Sequence, residues 1–288
     1  MQRRFRIVLT DVCNFRCPCC YNEGNHTKNT HQEVDCEQIL RFASKLNGYI
    51  EHVVLTGGEP LLYSRFEELV LGLNKLGIKM QLTTNGSLLQ KLLAQRRILQ
   101  AIDRINVSLD KYSPTNFRYK TYTSSNVFDL VIHNIKDVAA QHKNVTINTV
   151  YDDQVTCAEI QALIQFCGES SVKNIKFIPL LDVQEDKFTN RLENILHEIA
   201  PNAPLLSNNS HYLIKTYNIN ETNVSVLHQY CNNSCAVCRK ESFIRINCDN
   251  KINFCRRKPD DVLSVCNLLP MSRNKIIDIL EGKMQSEK

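Results

Sequence analysis

Two kinds of apolar pattern alternate along the first 180 residues of the chain. Short β-branched runs predict strands, and they fall near residues 7–10, 52–56, 80–83, 104–109, 145–150 and 174–179. Between them, apolar residues recur with helical spacing, for example in a Leu-rich segment from Leu88 to Ala101. The alternation predicts parallel βα units. Six units are too few to close an eight-stranded barrel, so we expect an α/β fold with an open, partial (β/α)6 barrel.

The remainder of the chain has a different pattern. Residues 188–200 predict a last amphipathic helix, and residues 201–222 are rich in Asn, Ser and Pro, which is typical of a linker. Two short strand-like runs then flank Asp249-Asn250, which predicts a hairpin because Asn tolerates the left-handed conformation of a tight turn. We expect a barrel in residues 1–200, a linker in 201–228, and a small cysteine-rich domain with a C-terminal helix in 229–288.

Composition narrows the class of protein. With 43% hydrophobic and 23% charged residues, the 288-residue chain has the composition of a soluble globular protein. The net charge of +5 slightly favours an anionic small substrate, and without a polybasic run or any Trp it does not predict a nucleic-acid binder. Thirteen cysteines, an odd number with many closely spaced, predict metal or cluster binding in a reducing compartment. The start is too charged for a secretory leader and no segment predicts a membrane span, so we expect a cytoplasmic protein.

The densest chemical motif follows the first predicted strand. Cys13, Cys17 and Cys20 lie there with three and then two intervening residues. Three thiolates on one loop can ligate three irons of a 4Fe–4S cluster and leave the fourth iron open to a small molecule. A zinc site, which usually takes two cysteines from such a loop and two from elsewhere, is the alternative.

Three further motifs follow the next three predicted strands, where the functional loops of βα barrels lie. They are Thr56-Gly57-Gly58-Glu59-Pro60, Thr83-Thr84-Asn85-Gly86 and Asn106-Val107-Ser108-Leu109-Asp110. In this order, and together with the cysteine loop, the set resembles the radical SAM superfamily over at least the first 180 residues.

The resemblance implies a specific first site. Cys13, Cys17 and Cys20 would hold a 4Fe–4S cluster whose open iron binds S-adenosylmethionine (SAM), and one electron would release a 5′-deoxyadenosyl radical that abstracts hydrogen from a substrate. The implied SAM-binding residues are Cys19 (through its backbone), Gly57, Gly58, Glu59, Pro60, Asn85, Ser108, Asp110 and Leu181. From the residues alone, Asp110 could instead be a helix N-cap and Asn85-Gly86 a simple turn.

A second cysteine group lies near the C-terminus. Cys235, Cys238 and Cys255, with Cys231 or Cys248 as a further ligand, could form a zinc ribbon. The chain also resembles the GTP 3′,8-cyclases of molybdenum-cofactor synthesis, which implies that Cys235, Cys238 and Cys255 hold an auxiliary 4Fe–4S cluster in a twitch- or SPASM-like domain. The same resemblance implies that Arg6, Thr83 and Arg245 contact the substrate.

The chain departs from that cyclase pattern at informative positions. Val54 and Thr146 stand where the cyclases have cations for the triphosphate, and Leu181 replaces a methionine near SAM. Each lost charge-assisted hydrogen bond is worth about 1.5–3 kcal/mol. We therefore expect a divergent biosynthetic or maturation enzyme with a small-molecule or peptide substrate and a reductant such as flavodoxin or ferredoxin. The alternatives are GTP 3′,8-cyclase itself and a non-catalytic cluster- or zinc-binding protein; the oligomeric state stays open.

Overall fold

The computed structural model describes residues 3–18, 20, 31–124, 126–142, 144–151, 155–179, 185–209, 214–227, 243–254 and 262–285. Twelve strands in this part of the chain form one sheet. They are β1 (Arg3–Val8), β2 (Ile50–Thr56), β3 (Lys79–Thr84), β4 (Arg104–Ser108), β5 (Val145–Tyr151), β6 (Asn174–Pro179), β7 (Leu205–Asn209), β8 (Ile214–Ile219), β9 (Thr222–Leu227), β10 (Ile244–Ile246), β11 (Lys251–Asn253) and β12 (Val262–Ser264). The helices are α1 (Cys36–Lys45), α2 (Phe66–Lys75), α3 (Gln90–Leu93), α4 (Arg96–Ala101), α5 (Pro114–Thr121), α6 (Asn126–Gln141), α7 (Cys157–Glu169), α8 (Glu185–Ile199), α9 (Val265–Leu268) and α10 (Arg273–Gln285).

The centre of the sheet consists of the six parallel strands that the sequence predicts. Strands β1 to β6 pair in chain order, each parallel to the next. The sheet continues beyond β6 through β9, β8 and β7, and beyond β1 through β10, β11 and β12. β7 and β12 are thus separate edges of the described sheet. The expected open, partial barrel is confirmed.

The central strands have one apolar and one polar face. In β1, Phe5 and Ile7 are buried in the core that the helices share, whereas Arg6 is partly exposed on the opposite face. In β4, Ile105 is buried in the same core and Asn106 is not. Successive side chains of a strand point to opposite faces, so the alternation continues along these strands, with buried Val54 of β2 as an apolar residue opposite Arg6. We call the polar face of β1 to β6, on the side away from the helices, the lumen.

The helices begin and end as their sequences dictate. Asp35 caps α1, because its carboxylate accepts a hydrogen bond from the Gln38 backbone N–H at 3.0 Å. Its apolar residues Ile39, Phe42 and Ala43 are buried, and Gly48 follows the helix with a φ of +81°. Thr156 and Glu159 form a capping box at the start of α7. No helix in the described ranges combines the length and the apolar run that a membrane crossing requires.

The single Leu-rich helix predicted over residues 88–101 is wrong, because the segment forms two short helices, α3 and α4. The break lies at Gln95, whose φ of −127° and ψ of 74° are not helical. The side-chain amide of Gln95 donates a hydrogen bond to the Glu67 carboxylate on α2. This contact joins residues that are distant in sequence, so helical periodicity could not reveal it.

The irregular linker predicted in residues 201–228 is also wrong where β7, β8 and β9 occupy it. β8 and β9 form a hairpin whose turn residues Asn220 and Glu221 both have positive φ, 49° and 64°. Such a two-residue turn matches the twist of paired strands. In β9, Val224 and Val226 alternate with polar residues and are fully buried. The high Asn and Ser content therefore marked a hairpin and its polar face rather than a linker.

The hairpin predicted around Asp249-Asn250 is confirmed. β10 and β11 are antiparallel, and Asn250 has a φ of +60°. β10 also pairs in parallel with β1, which attaches the hairpin to the edge of the six central strands. The boundaries at residues 200 and 228, and the separate C-terminal domain, stay predictions.

An ion pair attaches the C-terminal helix to the first strand. Arg3 donates two hydrogen bonds to the Glu281 carboxylate, at 2.9 and 2.6 Å, and the Tyr49 hydroxyl donates a third at 2.8 Å. The Arg3 hydrogen bonds hold the pKa of Glu281 below its usual value. The Lys45 ammonium on α1 also donates to the backbone oxygens of Leu269 and Met271, each at 2.6 Å. These contacts hold α10 against the start of the barrel.

Replacing Glu281 with Ala should destabilise the protein. The change removes the carboxylate from Arg3, which is only 6% exposed, so we expect the free energy of unfolding to fall by about 2–3 kcal/mol. The matched control Tyr49→Phe removes one neutral donor and should cost about 1 kcal/mol. Urea unfolding followed by circular dichroism measures both. Equal costs for the two variants would contradict a dominant role for the Arg3–Glu281 pair.

Candidate active site

The three cysteines of the first motif lie together on the loop that leaves β1. Cys13, Cys17 and Cys20 are half-buried thiols rather than disulfides. The Phe15 backbone N–H donates to Cys13 Sγ at 3.4 Å, and the Cys20 N–H donates to the Cys17 carbonyl at 3.1 Å. Burial, more than the nearby Glu59 and Cys20, raises the pKa of Cys13 to about 11. In this environment the thiolate needs a bound cation to compensate its charge.

The Gly57-Gly58 segment runs directly beside this loop. The Gly58 N–H donates to the Thr10 carbonyl at 2.8 Å, and the Glu59 N–H donates to the Val12 carbonyl at 2.7 Å. A Cβ on Gly58 would lie 2.2 Å from the Val12 oxygen, and one on Gly57 would lie 2.7 Å from the Thr10 oxygen. Only glycine allows the two backbones to approach this closely.

Glu59 joins the second motif to the third. Its carboxylate is fully buried and accepts hydrogen bonds from the Leu61 N–H at 3.1 Å, the Thr84 hydroxyl at 2.8 Å and the Asn85 N–H at 2.8 Å. Burial raises the pKa of Glu59 to about 7 although these donors favour the ionised form. The described hydrogen bonds of the carboxylate all go to the protein, and they hold the loops after β2 and β3 together. The SAM contact expected for Glu59 stays a prediction.

Asn85 connects the third motif to the cysteine loop. Its side-chain amide donates to Asn14 Oδ1 at 2.8 Å and to Cys13 Sγ at 3.9 Å. Asn14 in turn donates to Ser87 Oγ at 2.9 Å, and the Ser87 hydroxyl donates to Asn85 Oδ1 at 2.7 Å. The sequence singled out Asn85 but missed Asn14 and Ser87. The position of Asn14 between two of the cysteines was the signal that could have identified it.

Asp110 connects two strands and does not have the helix-capping role that its sequence position allows. It does not cap a helix, because Ser113 is the N-cap of α5. Its carboxylate instead accepts a hydrogen bond from the Val150 N–H at 2.8 Å, which joins the ends of β4 and β5. Ser108 is exposed at the end of β4. A contact of Ser108 or Asp110 with SAM stays a prediction.

The three substrate residues expected from the sequence share the lumen. Arg6 and Arg245 are in register on the neighbouring strands β1 and β10, and Arg6 donates to the Thr56 hydroxyl at 3.2 Å. Thr83 accepts a hydrogen bond from the Asn106 amide at 3.4 Å. The structure therefore brings Arg6, Thr83 and Arg245 to one side of the sheet.

The lumen holds further cations that sequence reasoning missed. Burial, together with the charges of Arg104, Arg4 and Arg6, lowers the pKa of Lys176 on β6. His52 on β2 lies on the same face but is not one of these cations, because burial lowers the pKa of its imidazole and favours the neutral form. The Arg4 guanidinium lies over the Phe243 ring, 4.9 Å from its centroid. The two-residue alternation with Arg6 could have identified Arg4, whereas the proximity of Arg104 and Lys176 depends on the folded sheet.

Several predicted residues lie outside the described part of the chain. They are Cys19, Leu181, Cys231, Cys235, Cys238 and Cys255. Cys248, the other candidate for the second group, is described: it is half-buried, and its sulfur lies 3.9 Å from the Gln32 side-chain oxygen.

Comparison with known proteins identifies the family. Residues 7–167 match the sequence model of the Radical SAM superfamily. The chain belongs to the radical SAM superfamily. Members of this superfamily are enzymes that use a 4Fe–4S cluster and SAM, so this chain is an enzyme of that class. The resemblance inferred from the cysteine loop and its companion motifs is confirmed.

Named relatives and solved structures agree with this assignment. The chain is 33% identical over 273 residues to a probable GTP 3′,8-cyclase of Saccharolobus islandicus, covering 92% of this chain and 86% of that protein. It is 30% identical over 272 residues to a probable GTP 3′,8-cyclase of Sulfurisphaera tokodaii, covering 92% and 84%. The structure of Streptococcus suis SuiB bound to SAM aligns with a TM-score of 0.72 at 16% identity, over 99% of this chain and 68% of SuiB. Native anSMEcpe with bound SAM aligns with a TM-score of 0.65 at 15% identity, over 96% and 80%. At these low identities, the two alignments show that this chain shares the fold of SuiB and of anSMEcpe.

Substituting Gly58 with Ala should disrupt the site, because the added Cβ would overlap the backbone oxygen of Val12 at 2.2 Å. We expect a loss of at least about 3 kcal/mol in the free energy of unfolding, since neither backbone can move independently of the sheet. The matched control is Gly168→Ala in α7, where a Cβ meets nothing within 4 Å. That change should stabilise the helix by about 0.5–1 kcal/mol. Chemical denaturation of both variants tests the contrast, and a Gly58→Ala protein as stable as wild type would contradict it.

Proposed function

We propose that Cys13, Cys17 and Cys20 ligate the 4Fe–4S cluster and that its open iron holds SAM beside Gly57 and Gly58. When bound, the cluster and SAM supply a 5′-deoxyadenosyl radical, which abstracts a hydrogen atom from the substrate. The single observation that carries the proposal is the hydrogen-bonded approach of the glycine segment to the cysteine loop, at 2.8 and 2.7 Å. This approach leaves no room for side chains between the loops, so backbone groups can bond a ligand directly.

The donor set at this loop fits a cluster. Within the described residues, no three His, Cys, Asp or Glu side chains converge closely enough to ligate a single metal ion. A 4Fe–4S cluster does not require that convergence, because each thiolate ligates a different iron atom. The hydrogen bond from the Asn85 amide to Cys13 Sγ is of the kind that tunes a cluster ligand. Together with the match to the Radical SAM superfamily, the Asn85 contact favours the cluster over zinc.

The lumen suggests an anionic substrate. Arg6 and Arg245 lie side by side near one edge, and the pKa of Lys176 is lowered in part by Arg4 and Arg104. A cavity that gathers this many cations is stabilised when an anion binds, because the ligand relieves their mutual repulsion. We therefore infer that the small-molecule or peptide substrate carries a phosphate or carboxylate group in the lumen, and that Arg6, Thr83 and Arg245 contact it.

The hairpin supports a second cluster at Cys235, Cys238 and Cys255. β11 ends at Asn253, paired with Arg245 on the lumen side of the sheet, and Cys255 follows two residues later. β11 runs antiparallel to β10, and β10 runs parallel to β1, so the end of β11 lies toward the start of β1. Cys13 follows the other end of β1. A substrate in the lumen would then lie between the two clusters, with residues 229–288 as the auxiliary domain.

GTP 3′,8-cyclase activity is the second candidate. It is favoured by the relative that is 33% identical over 92% of this chain, and by the additional cations of the lumen. Val54 and Thr146 lack the charges of the cyclase pattern, but Arg104 and Lys176 supply cations from neighbouring strands. Formation of a cyclic purine product from GTP and SAM in the reconstituted, reduced enzyme would establish this activity.

Substituting Cys17 with Ala tests the proposed cluster site. In anaerobically reconstituted protein we expect about eight irons per chain for wild type and about four for the variant, with 5′-deoxyadenosine release lost. The matched control is Cys266→Ala, which removes an exposed thiol on α9 and should change neither quantity. Iron analysis and chromatographic detection of 5′-deoxyadenosine provide the readouts. Full iron content and undiminished release in Cys17→Ala would contradict the proposal.

Substituting Lys176 with Gln tests the anionic substrate class, with GTP and guanosine as probes. We expect wild type to bind GTP more tightly than guanosine. The loss of one charge-assisted contact should weaken GTP binding about tenfold or more while leaving guanosine binding unchanged. The control Lys173→Gln removes an exposed lysine paired with Glu221 and should affect neither ligand. Isothermal titration calorimetry measures these affinities. If wild type binds GTP and guanosine equally tightly, the proposal that the lumen binds the phosphate groups is contradicted.

A further inference from the structure

A polar side chain lies on the buried face of α6, among apolar neighbours. Asn134 is 0% exposed, and α6 also buries Val131, Ile135 and Val138. A buried amide is unfavourable unless its hydrogen bonds are satisfied, whereas an apolar residue of similar size could fill this place without that requirement. Asn134 belongs to none of the four motifs, so its hydrogen-bond partners indicate what it does.

Asn134 holds the loop that follows β3. Its side-chain NH2 group donates to the Gly86 carbonyl at 2.9 Å and to the Ser87 carbonyl at 3.1 Å. Its Oδ1 accepts a hydrogen bond from the side-chain amide of Gln90, the first residue of α3, at 3.1 Å. Both N–H groups and the oxygen of the amide therefore have partners, and the two carbonyls require that the nitrogen faces the loop. In this way α6 fixes two consecutive backbone carbonyls of the loop.

The same loop orients the amide that contacts Cys13. Asn85 Oδ1 accepts hydrogen bonds from the Ser87 backbone N–H at 3.0 Å and from the Ser87 hydroxyl at 2.7 Å. Because two donors occupy this oxygen, the Asn85 NH2 group faces the cysteine loop, where it donates to Asn14 Oδ1 at 2.8 Å and to Cys13 Sγ at 3.9 Å. A continuous series of hydrogen bonds therefore leads from Asn134 to the sulfur.

Ser87 links the two halves of this network. Its carbonyl accepts from Asn134, its N–H and hydroxyl donate to Asn85, and its hydroxyl also accepts from the Asn14 amide at 2.9 Å. A displacement of the loop would therefore move both donors of Asn85 Oδ1 together. Networks of this kind couple a remote side chain to the group at their other end.

We propose that Asn134 is a positioning residue for the cluster of the cysteine loop, and that it acts through Ser87 and Asn85 on the hydrogen bond to Cys13 Sγ. The inference rests on the proposed function, because it concerns a thiolate that ligates that cluster. Hydrogen bonds to the sulfurs of a cluster stabilise its reduced, more negative state and so raise its reduction potential. When Asn134 no longer holds the loop, the Asn85 amide loses its fixed direction and the cluster becomes harder to reduce.

The test compares two buried positions of the same helix. The variant Asn134→Leu keeps the size of the side chain, adds no charge and removes both donors from the Gly86 and Ser87 carbonyls. The matched control Val138→Ala lies one turn later, is also 0% exposed, and weakens the packing of α6 without removing a hydrogen bond. A second variant, Gln90→Ala, changes an exposed residue and removes only the donor to Asn134 Oδ1.

The reduction potential is the readout that a merely structural role would not change. It is measured on anaerobically reconstituted protein without SAM, by potentiometric titration followed by electron paramagnetic resonance. The signal of the first cluster is the one that Cys17→Ala lacks. We expect Asn134→Leu to shift the reduction equilibrium at least about threefold toward the oxidised cluster, and Gln90→Ala to shift it less in the same direction. Val138→Ala should lower stability and leave the potential unchanged.

A double-mutant cycle tests whether Asn134 acts through Asn85. Asn85→Ala removes the amide beside Cys13 and should shift the potential at least as far as Asn134→Leu does. Adding Asn134→Leu to Asn85→Ala should give no further shift, because both changes interrupt the same series of hydrogen bonds.

Hydrogen–deuterium exchange provides a readout on protein without iron. The Gly86 N–H donates to the Thr84 hydroxyl at 3.1 Å and the Ser87 N–H donates to Asn85 Oδ1, so both amides depend on the position of the loop. We expect residues 84–89 to exchange faster in Asn134→Leu than in Val138→Ala, measured by mass spectrometry under the same conditions.

The outcomes separate the two proposals. Wild-type protein that binds no more iron than Cys17→Ala overturns the proposed function, and the positioning role with it. If wild type holds the cluster and Asn134→Leu keeps the wild-type potential, the positioning role alone is overturned, whatever happens to stability. The same conclusion follows if Asn134→Leu shifts the potential as much in the Asn85→Ala background as in wild type. If Asn134→Leu does not fold, Gln90→Ala decides, and a wild-type potential in that variant overturns the positioning role.

Discussion

The site depends on one buried carboxylate. Burying a carboxylate costs several kcal/mol unless donors compensate it, and Glu59 has three, from Leu61, Thr84 and Asn85. Its own N–H donates to the Val12 carbonyl at 2.7 Å. Glu59 thus connects the loops that follow β1, β2 and β3. The distance between the cysteine loop and its neighbours is set by backbone contacts and this side chain, as a preorganised site requires.

The same strands explain why a site can extend through the barrel. In a closed eight-stranded barrel the interior is filled by layers of apolar side chains. Here most apolar side chains of β1 to β6 face the helices, and the opposite face carries residues such as Arg6, Asn106 and Lys176. The described sheet ends at two separate edges, β7 and β12, so its polar face does not have to form a closed interior filled with apolar side chains. An open sheet with most of its apolar residues turned toward the helices therefore forms a stable core and keeps a polar face.

The sequence predicts the elements that depend on local interactions, and it does not predict those that depend on contacts between residues distant in sequence. Strands β2 to β6, the motifs after them and the β10–β11 hairpin were predictable, because each depends on local alternation or on a turn residue such as Asn250. The break at Gln95 was not, since it accompanies a contact with Glu67 on another helix. The β8–β9 hairpin was not predictable from composition, because a segment rich in Asn and Ser is typical of turns and of linkers alike. The burial of the Glu59 carboxylate was not predictable either, because its partners Thr84 and Asn85 are distant in sequence and become neighbours only in the folded sheet.

The lumen shows why the positive charge around a substrate cannot be judged by comparing single sequence positions with those of a relative. Val54 and Thr146 lack the cations of the cyclase pattern, which from sequence alone predicts weak binding of a triphosphate. In a parallel sheet, however, one cavity is shared by side chains from several strands, and an anion responds to their summed field rather than to any one position. Arg104 on β4 and Lys176 on β6 lie close enough for the arginine to lower the lysine pKa. Charge absent at one strand can therefore be supplied from another, and the charge of the lumen has to be judged over all its strands together.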